Sequence, residues 1–189
     1  MGELATKPLD VDTWPDFAAL VEANNGVWGG CWCMGFHPKG PGWGKDPELN
    51  RAEKEERVRN GEAHAALVYD GDKCVGWCQF GVPDELPRIK NKRAYLAGLE
   101  DQPDFRITCF FVGKGHRGKG VAAVALAGAL EQIARLGGGT VESYPDRIED
   151  KPVSSSFLHN ATTGMFEQQG FAPTRPIGKT RWVVRKVVD

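Results

Sequence analysis

The stretch "FFVGKGHRGKGVAAVAL", from Phe110 to Leu126, matches three phosphate-binding patterns at once. From Gly113 to Gly118 it reads G-x-G-x-x-G, the dinucleotide fingerprint. From Gly113 to Gly120 it reads G-x-x-x-x-G-K followed by Gly, one hydroxyl short of a P-loop. From Arg117 to Ala122 it reads R-x-x-G-x-A, a third pyrophosphate-binding turn. All three rest on the same physics. Gly113, Gly115, Gly118 and Gly120 remove side chains where a backbone turns sharply and approaches a ligand. The helix that follows then offers free N–H groups and a positive dipole end to an anion. A tight turn without a ligand is the plain alternative. Interleaving the four glycines with Lys114, His116, Arg117 and Lys119 argues against it.

The surroundings separate the three readings. Upstream, "FRITCFFV" is a buried strand running straight into the turn, and downstream Val121–Leu136 is a helix with Leu126, Leu130 and Ile133 on one face. Gly137 to Gly139 end that helix, and "TVESY" is the next strand. Earlier, "VDTWPDFAALVEANNG" carries an N-cap at Asp12 or Thr13 and Pro15 in its first turn, so it is a helix. "PELNRAEKEERVRN" is a charged helix whose charges belong to a solvated face laced with i,i+4 pairs. "AHAALVYDGDKCVGWCQFG" is a hairpin around Asp70-Gly71. A helix lies around "LPRIKNKRAYLAGL", another in "TTGMFEQQ", and "RWVVRKVV" is the last strand. The order is β-α-α-β-β-α-β-α-β-α-β-β, an α/β (α+β) chain with an antiparallel hairpin beside a parallel strand–helix–strand unit.

The P-loop reading fails because Gly120 stands where a Ser or Thr hydroxyl would hold Mg²⁺. The dinucleotide reading fails on context. A hairpin precedes the turn, too few residues follow for a βαβ series, and charged Lys114, His116 and Arg117 crowd a loop normally kept small.

The third reading fits spacing and context together. A strand ending in Val112, then "RGKGVA" (Arg117 to Ala122), a long helix, the strand "TVESY" and a late "MFEQQGF" resemble the GNAT superfamily of N-acetyltransferases, in order and over essentially the whole chain. The resemblance implies a mixed, twisted sheet with helices on both faces, whose two parallel strands splay apart. It implies acetyl-CoA as co-substrate and no metal. The pantetheine arm would pair with the backbone at Phe110, Phe111 and Val112. The pyrophosphate would sit on the amides of Arg117, Gly118, Lys119, Gly120, Val121 and Ala122. Asn160, with His159 as second candidate, corresponds to the family's cofactor-contacting Asn, and Phe166 would pack on the cofactor.

Phe166 also marks a departure, because many relatives carry at that place a Tyr that protonates the leaving thiolate. Thiols have a pKa of ~8.5, so coenzyme A departs tolerably without an acid. Tyr144 is the nearest substitute by position, or a strand-end aromatic that only packs. Glu142 alternates onto the same face as Tyr144 and is a candidate base, or an exposed strand carboxylate. Cys109 would lie beside the thioester, but its apolar run supplies no activating partner, so direct attack by the amine is expected.

The acceptor site implied by the resemblance includes the loop "NGVWGGCWCMGFHPKGPGWG", which holds half of the six tryptophans. Its aromatics must bury somewhere. Trp28, Trp32, Phe36 and Trp43 form either the wall of an apolar cleft or a small satellite core. His37 is a possible base from that wall, although a lone loop histidine belongs more often to the surface. Trp14 and Trp77 read as core.

Bulk properties bound the rest. The 189 residues, 41% apolar, suit one domain over 1–189. The 24 basic and 25 acidic residues leave a formal charge of −1, no footprint for nucleic acid and no clue to the acceptor. No apolar run reaches membrane-spanning length, the N-terminus has no signal-peptide core, and the M-G-x-x-x-[ST] pattern at Gly2 has no second membrane signal beside it. Five cysteines without framework or zinc spacing indicate buried thiols and a cytoplasmic setting. The expected partner is a small-molecule or peptide amine. A homodimer paired through "RWVVRKVV" is possible. A non-catalytic acyl-CoA-binding module is the alternative function.

Overall fold

The structure is a computed structural model, and it describes residues 3–40, 46–148 and 159–189. Trp43 and Gly2 lie outside the described residues. The elements run β1 (Leu4–Pro8), α1 (Trp14–Glu22), a 3₁₀ turn (Met34–Phe36), α2 (Pro47–Arg59), β2 (His64–Asp70), β3 (Lys73–Gly81), α3 (Lys92–Ala97), β4 (Phe105–Val112), α4 (Val121–Arg135), β5 (Gly139–Ser143), α5 (Thr163–Gln168), β6 (Ala172–Pro176) and β7 (Trp182–Val188). This is the order expected from the sequence. The strands form a seven-stranded sheet in the order β1-β2-β3-β4-β5-β7-β6. Among the described residues β4 and β5 are its parallel pair, and every other neighbouring pair is antiparallel.

Two apolar layers cover the sheet. On one face Leu126, Ala129 and Ile133 of α4 pack with Val68, Phe80, Ile107, Val141 and Phe166. On the other, Phe17 and Val21 of α1 pack with Leu67, Trp77 and Phe111. A smaller cluster of Ile89, Tyr95, Tyr144, Ile177 and Val183 continues that second face past β5.

A one-residue slip in the β3–β4 ladder decides which side chains meet. Ile107 pairs with Phe80 but Cys109 pairs with Gln79, so Thr108 is a bulge. Ahead of it Phe105 and Ile107 face α4; beyond it Cys109 and Phe111 face α1.

Two expectations change. The last strand is no edge, because β7 lies between β5 and β6 and both of its sides are paired. The edges are β1 and β6, and Pro173 and Pro176 blunt the latter. The charge ladder of α2 is real, with Arg51–Glu55, Arg57–Glu53 and Arg59–Glu55 pairs. Yet Lys54 is not part of it: with Asn50 and Val58 it forms the buried stripe of the helix and is 1% exposed.

Candidate active site

β4 and β5 pair over only three positions, Phe105↔Val141, Arg106↔Glu142 and Ile107↔Ser143. The Ser143 hydroxyl donates to the Ile107 carbonyl at 2.8 Å, which marks the last point of contact. β5 then ends while β4 runs on to Val112, so a wedge opens along the second half of β4. Within it the Phe110 N–H donates to the His159 carbonyl at 2.7 Å. Antiparallel alternation then turns the polar groups of Phe110 and Val112 toward the wedge and those of Phe111 toward β3. Phe111 is therefore no backbone contact for a ligand in the wedge; its ring is stacked on Trp77 at 4.8 Å.

At the end of β4 the chain crosses into the glycine turn. Gly118 and Gly120 take φ of 73° and 79°, a region L side chains rarely adopt. Gly120 is also the N-cap of α4, with no side chain capping it. The first-turn amides of a 15-residue helix therefore remain available to an anion at its positive end. Val121 is buried under β3, where a Cβ on Gly76 would come within 2.8 Å of it, so the helix start is locked in place. Arg117 fastens the turn through a 3.2 Å bond from its Nε to the Val112 carbonyl. Lys119 and the glycines beside it are exposed, and Ala122 is half-buried.

Across the wedge Asn160 is fully buried. Its Nδ2 donates to the Tyr144 carbonyl at 3.1 Å, while its Oδ1 has no hydrogen-bond partner among the described residues. An orphaned buried acceptor, two outward peptide groups on β4 and an uncapped helix start suit an amide-bearing arm that ends in a diphosphate. These residues fit acetyl-CoA. Phe166 lies deeper than expected. It is fully buried edge-on to Phe110 at 5.9 Å and to Phe171 at 5.0 Å, a core residue under the wedge.

The two catalytic candidates share a face, as their spacing requires, but neither is free. Glu142 is 1% exposed. Its Oε2 accepts from the hydroxyls of Tyr95 at 2.8 Å and Tyr144 at 3.1 Å, and its Oε1 from Arg185 Nε at 2.5 Å. Burial raises both phenol pKa values, Tyr144's well above 10, and the bond to Glu142 adds to the rise at Tyr95. Both hydroxyls therefore stay protonated as donors. Glu142 is a tie that docks α3 and β7 onto β5, not an exposed base, and Tyr144 is spent on that tie.

The aromatic loop divides as well. Trp28 is 46% exposed and meets the His159 ring edge-on at 5.9 Å; Phe36 reaches the same ring at 6.1 Å. Both flank the His159 ring, Trp28 from the surface and Phe36 from the edge of the core cluster under α1. Trp32 instead turns inward against Trp14 at 6.0 Å and Phe17 at 6.4 Å and is core. His37 is fully buried and accepts from Lys54 Nζ at 3.0 Å through Nε2. Burial, then the charges of Lys54 and Arg57, hold its pKa well below the usual 6.5. It is a neutral core histidine rather than a base on the cleft wall.

Lys54 is the residue that sequence reading missed. Besides His37 it donates to Gln79 Oε1 at 3.0 Å, and Gln79 Nε2 donates to the bulge hydroxyl of Thr108 at 3.2 Å. The one signal was helical: counting back by fours from Val58 gives Lys54 and Asn50. All five cysteines are free thiols. Among the described residues no group of three His, Cys, Asp or Glu side chains is arranged to hold a metal, and no helix is long and apolar enough to cross a membrane.

A mixed seven-stranded sheet with one splayed parallel pair, and an uncapped glycine turn where that pair opens, defines the acyl-CoA N-acyltransferase fold. Residues 31–147 match the acetyltransferase (GNAT) family, and the chain belongs to it. It is an acetyl-CoA-dependent acyltransferase. No curated protein matches the sequence. Solved structures share the fold at low identity. An N-acetyltransferase from Staphylococcus aureus superposes with a TM-score of 0.54 at 13% identity over 100% of both chains. A GNAT-family acetyltransferase from Bacillus cereus gives 0.55 at 11% over 98% of each. A protein from Salmonella typhimurium assigned as an acetyltransferase, solved with its cofactor acetyl-CoA, gives 0.54 at 16% over 98% of this chain and 94% of its own.

Proposed function

We propose that the whole chain, 1–189, acts as one cytoplasmic N-acetyltransferase domain that passes the acetyl group of acetyl-CoA directly to a primary amine. The amine belongs to a small molecule or a peptide. The observation that carries this reading is the wedge beside β4 opening onto the uncapped start of α4. Backbone groups at Phe110 and Val112, the Asn160 amide and the amides of Gly118 to Ala122 hold the co-substrate. The acceptor enters between Trp28 and Phe36.

An alkylamine of pKa ~10.4 is protonated at pH 7, and freeing it costs roughly 4–5 kcal/mol. A base at the mouth of the wedge offsets part of that cost. His159 holds this position: its ring meets both aromatics and its carbonyl is on Phe110. We assign it the amine's proton. The Phe110 N–H then serves as the donor to the carbonyl oxygen as that oxygen gains charge, in exchange for its bond to His159. A thiolate leaves without an acid, in keeping with a buried Phe166 and an occupied Tyr144. The test is coenzyme A release from acetyl-CoA over a panel of amines, with His159→Gln beside the parent. Turnover with at least one amine, and a fall in kcat in the variant, are expected. Thermal protection by coenzyme A with no amine above background would refute it.

A further inference from the structure

Lys54 is the buried charge that the acyl-transfer reading leaves without a role. It is 1% exposed, on the stripe of α2 that faces the sheet. Its ammonium donates to two neutral acceptors, His37 Nε2 and Gln79 Oε1, each at 3.0 Å. Burying an ammonium on neutral partners is costly, and an aliphatic side chain would fill the same stripe without that penalty. Both partners stand next to groups already assigned to the reaction. His37 follows Phe36, whose ring meets His159. Gln79 Nε2 donates to the Thr108 hydroxyl at 3.2 Å, two residues before Phe110. An ammonium has no acceptor, so the Gln79 oxygen must face Lys54, and that fixes its amide nitrogen on Thr108.

Thr108 needs such a fastening. The β3–β4 ladder passes from Phe80↔Ile107 to Gln79↔Cys109 and gives Thr108 no partner. Ahead of it Arg106 and Ile107 are held on both sides, by β3 and by β5. Beyond it β5 has ended, and on the wedge side the strand is held by the bond from the Phe110 N–H to the His159 carbonyl. That bond is the one exchanged when the N–H turns to the thioester oxygen. The direction of the Phe110 peptide in the reacting complex is therefore set from the β3 side, where the Thr108 hydroxyl is its tether.

We propose that Lys54 is a positioning residue of the acyl transfer: through Gln79 it holds the Thr108 bulge, and the bulge aims the Phe110 N–H at the thioester carbonyl. This role rests on Phe110 being the oxyanion donor of the proposed acetyl transfer. Being buried, Lys54 meets neither substrate itself. Its loss leaves ground-state binding at the glycine turn intact and acts on the charge that develops in the transition state.

Variants of the full-length protein test this. Lys54→Met keeps a long side chain and removes its donors; Thr108→Val keeps the shape and removes the hydroxyl; Thr108→Ser keeps the hydroxyl. Removing an oxyanion donor outright costs on the order of 10²–10³ in kcat, so misaiming it in Lys54→Met and Thr108→Val is expected to lower kcat about tenfold or more. Coenzyme A affinity by calorimetry stays within about threefold of the parent, because the glycine turn carries it. Thr108→Ser recovers the parent kcat. Lys54→Met combined with Thr108→Val is no slower than the slower single variant, as one chain of bonds requires. Rates are taken well below melting, where a purely structural loss lowers the melting temperature and leaves kcat alone. Amide hydrogen exchange needs no turnover: the Phe110 amide exchanges faster in Lys54→Met and Thr108→Val, while Arg106 and Ile107 keep the parent rate. If the parent turns over no amine, the acetyl-transfer reading fails, and exchange at Phe110 still decides the tether. Parent kcat in Thr108→Val, a loss that Thr108→Ser does not recover, additive losses in the double variant, or unchanged exchange at Phe110 would each overturn the role of Lys54. The two Thr108 variants decide even if Lys54→Met fails to fold.

Discussion

Replacing Glu142 by Gln separates a structural carboxylate from a catalytic one. Three donors end on it, from Tyr95, Tyr144 and Arg185. Gln keeps the volume and one acceptor oxygen, but it sets an amide against a guanidinium whose side chain is 27% exposed. Breaking a fully buried ion pair costs ~3–5 kcal/mol; partial exposure of Arg185 reduces that to about 2–3 kcal/mol. In a chain of this length each kcal/mol moves the melting temperature by about 2–4 °C, so a fall of roughly 4–12 °C is expected. Glu142→Ala also strands two buried hydroxyls, each at ~1–3 kcal/mol, and should fall further. Calorimetry gives the stability, and coenzyme A release at 15 °C gives the rate. For Glu142→Gln, kcat within tenfold of the parent and an unchanged pH profile are expected. An undiminished melting temperature together with a collapsed kcat would refute the assignment of this residue as a tie and restore it as the base.

Three further outcomes follow from the same structure. His37 stays neutral when folded, with its pKa below 6.5, but titrates near 6.5 when unfolded; the unfolded chain therefore binds more protons as pH falls below 6.5, and stability drops by up to ~1.4 kcal/mol per pH unit from this group. In His37→Gln, which still accepts from Lys54, urea titrations between pH 6.5 and 5 should show that slope flattened; an unchanged slope contradicts it. Gly120→Ala forces a side chain into a left-handed position at a cost of ~1–2 kcal/mol and should weaken acetyl-CoA binding about tenfold by calorimetry, whereas Gly61→Ala, at φ 70° in a distant turn, should leave affinity alone. Phe166→Tyr places a hydroxyl in a closed aromatic cluster and should lose about 1–3 kcal/mol without raising turnover; a large gain in rate would mean that the position does reach the leaving sulfur.

How far the sequence reveals this molecule depends on the range of the interaction concerned. The order of elements is written in local signals: Pro15 at a helix start, a two-residue turn after Asp70, glycines where α4 begins and ends. The phosphate turn is equally local, since its function needs only backbone and glycine. Trp28 and Trp32 lie four residues apart in one glycine-rich loop, yet one flanks His159 and the other joins the core. That partition follows from which ring Trp14 and Phe17 of α1 can reach, and nothing within the loop encodes it.

Polar side chains are harder still, because their role is set by partners distant in the chain. Glu142 looks like any exposed strand carboxylate until Tyr95, 47 residues earlier, and Arg185, 43 residues later, arrive on it. Lys54 sits in "EKEER", where each neighbour suggests solvent, but only Lys54 falls on the row that Val58 pins to the sheet. A lysine in that row must find acceptors inside the protein, since burying it alone is prohibitive. Here those acceptors come from a loop histidine and from the strand opposite the bulge. The bulge at Thr108 thus does two things: it turns Cys109 and Phe111 to the α1–α2 face, and it places the next outward peptide group at Phe110. No propensity marks Thr108 for this. The slip is fixed by matching Phe80 and Gln79 of β3 to their partners, a constraint that exists only once the sheet has formed.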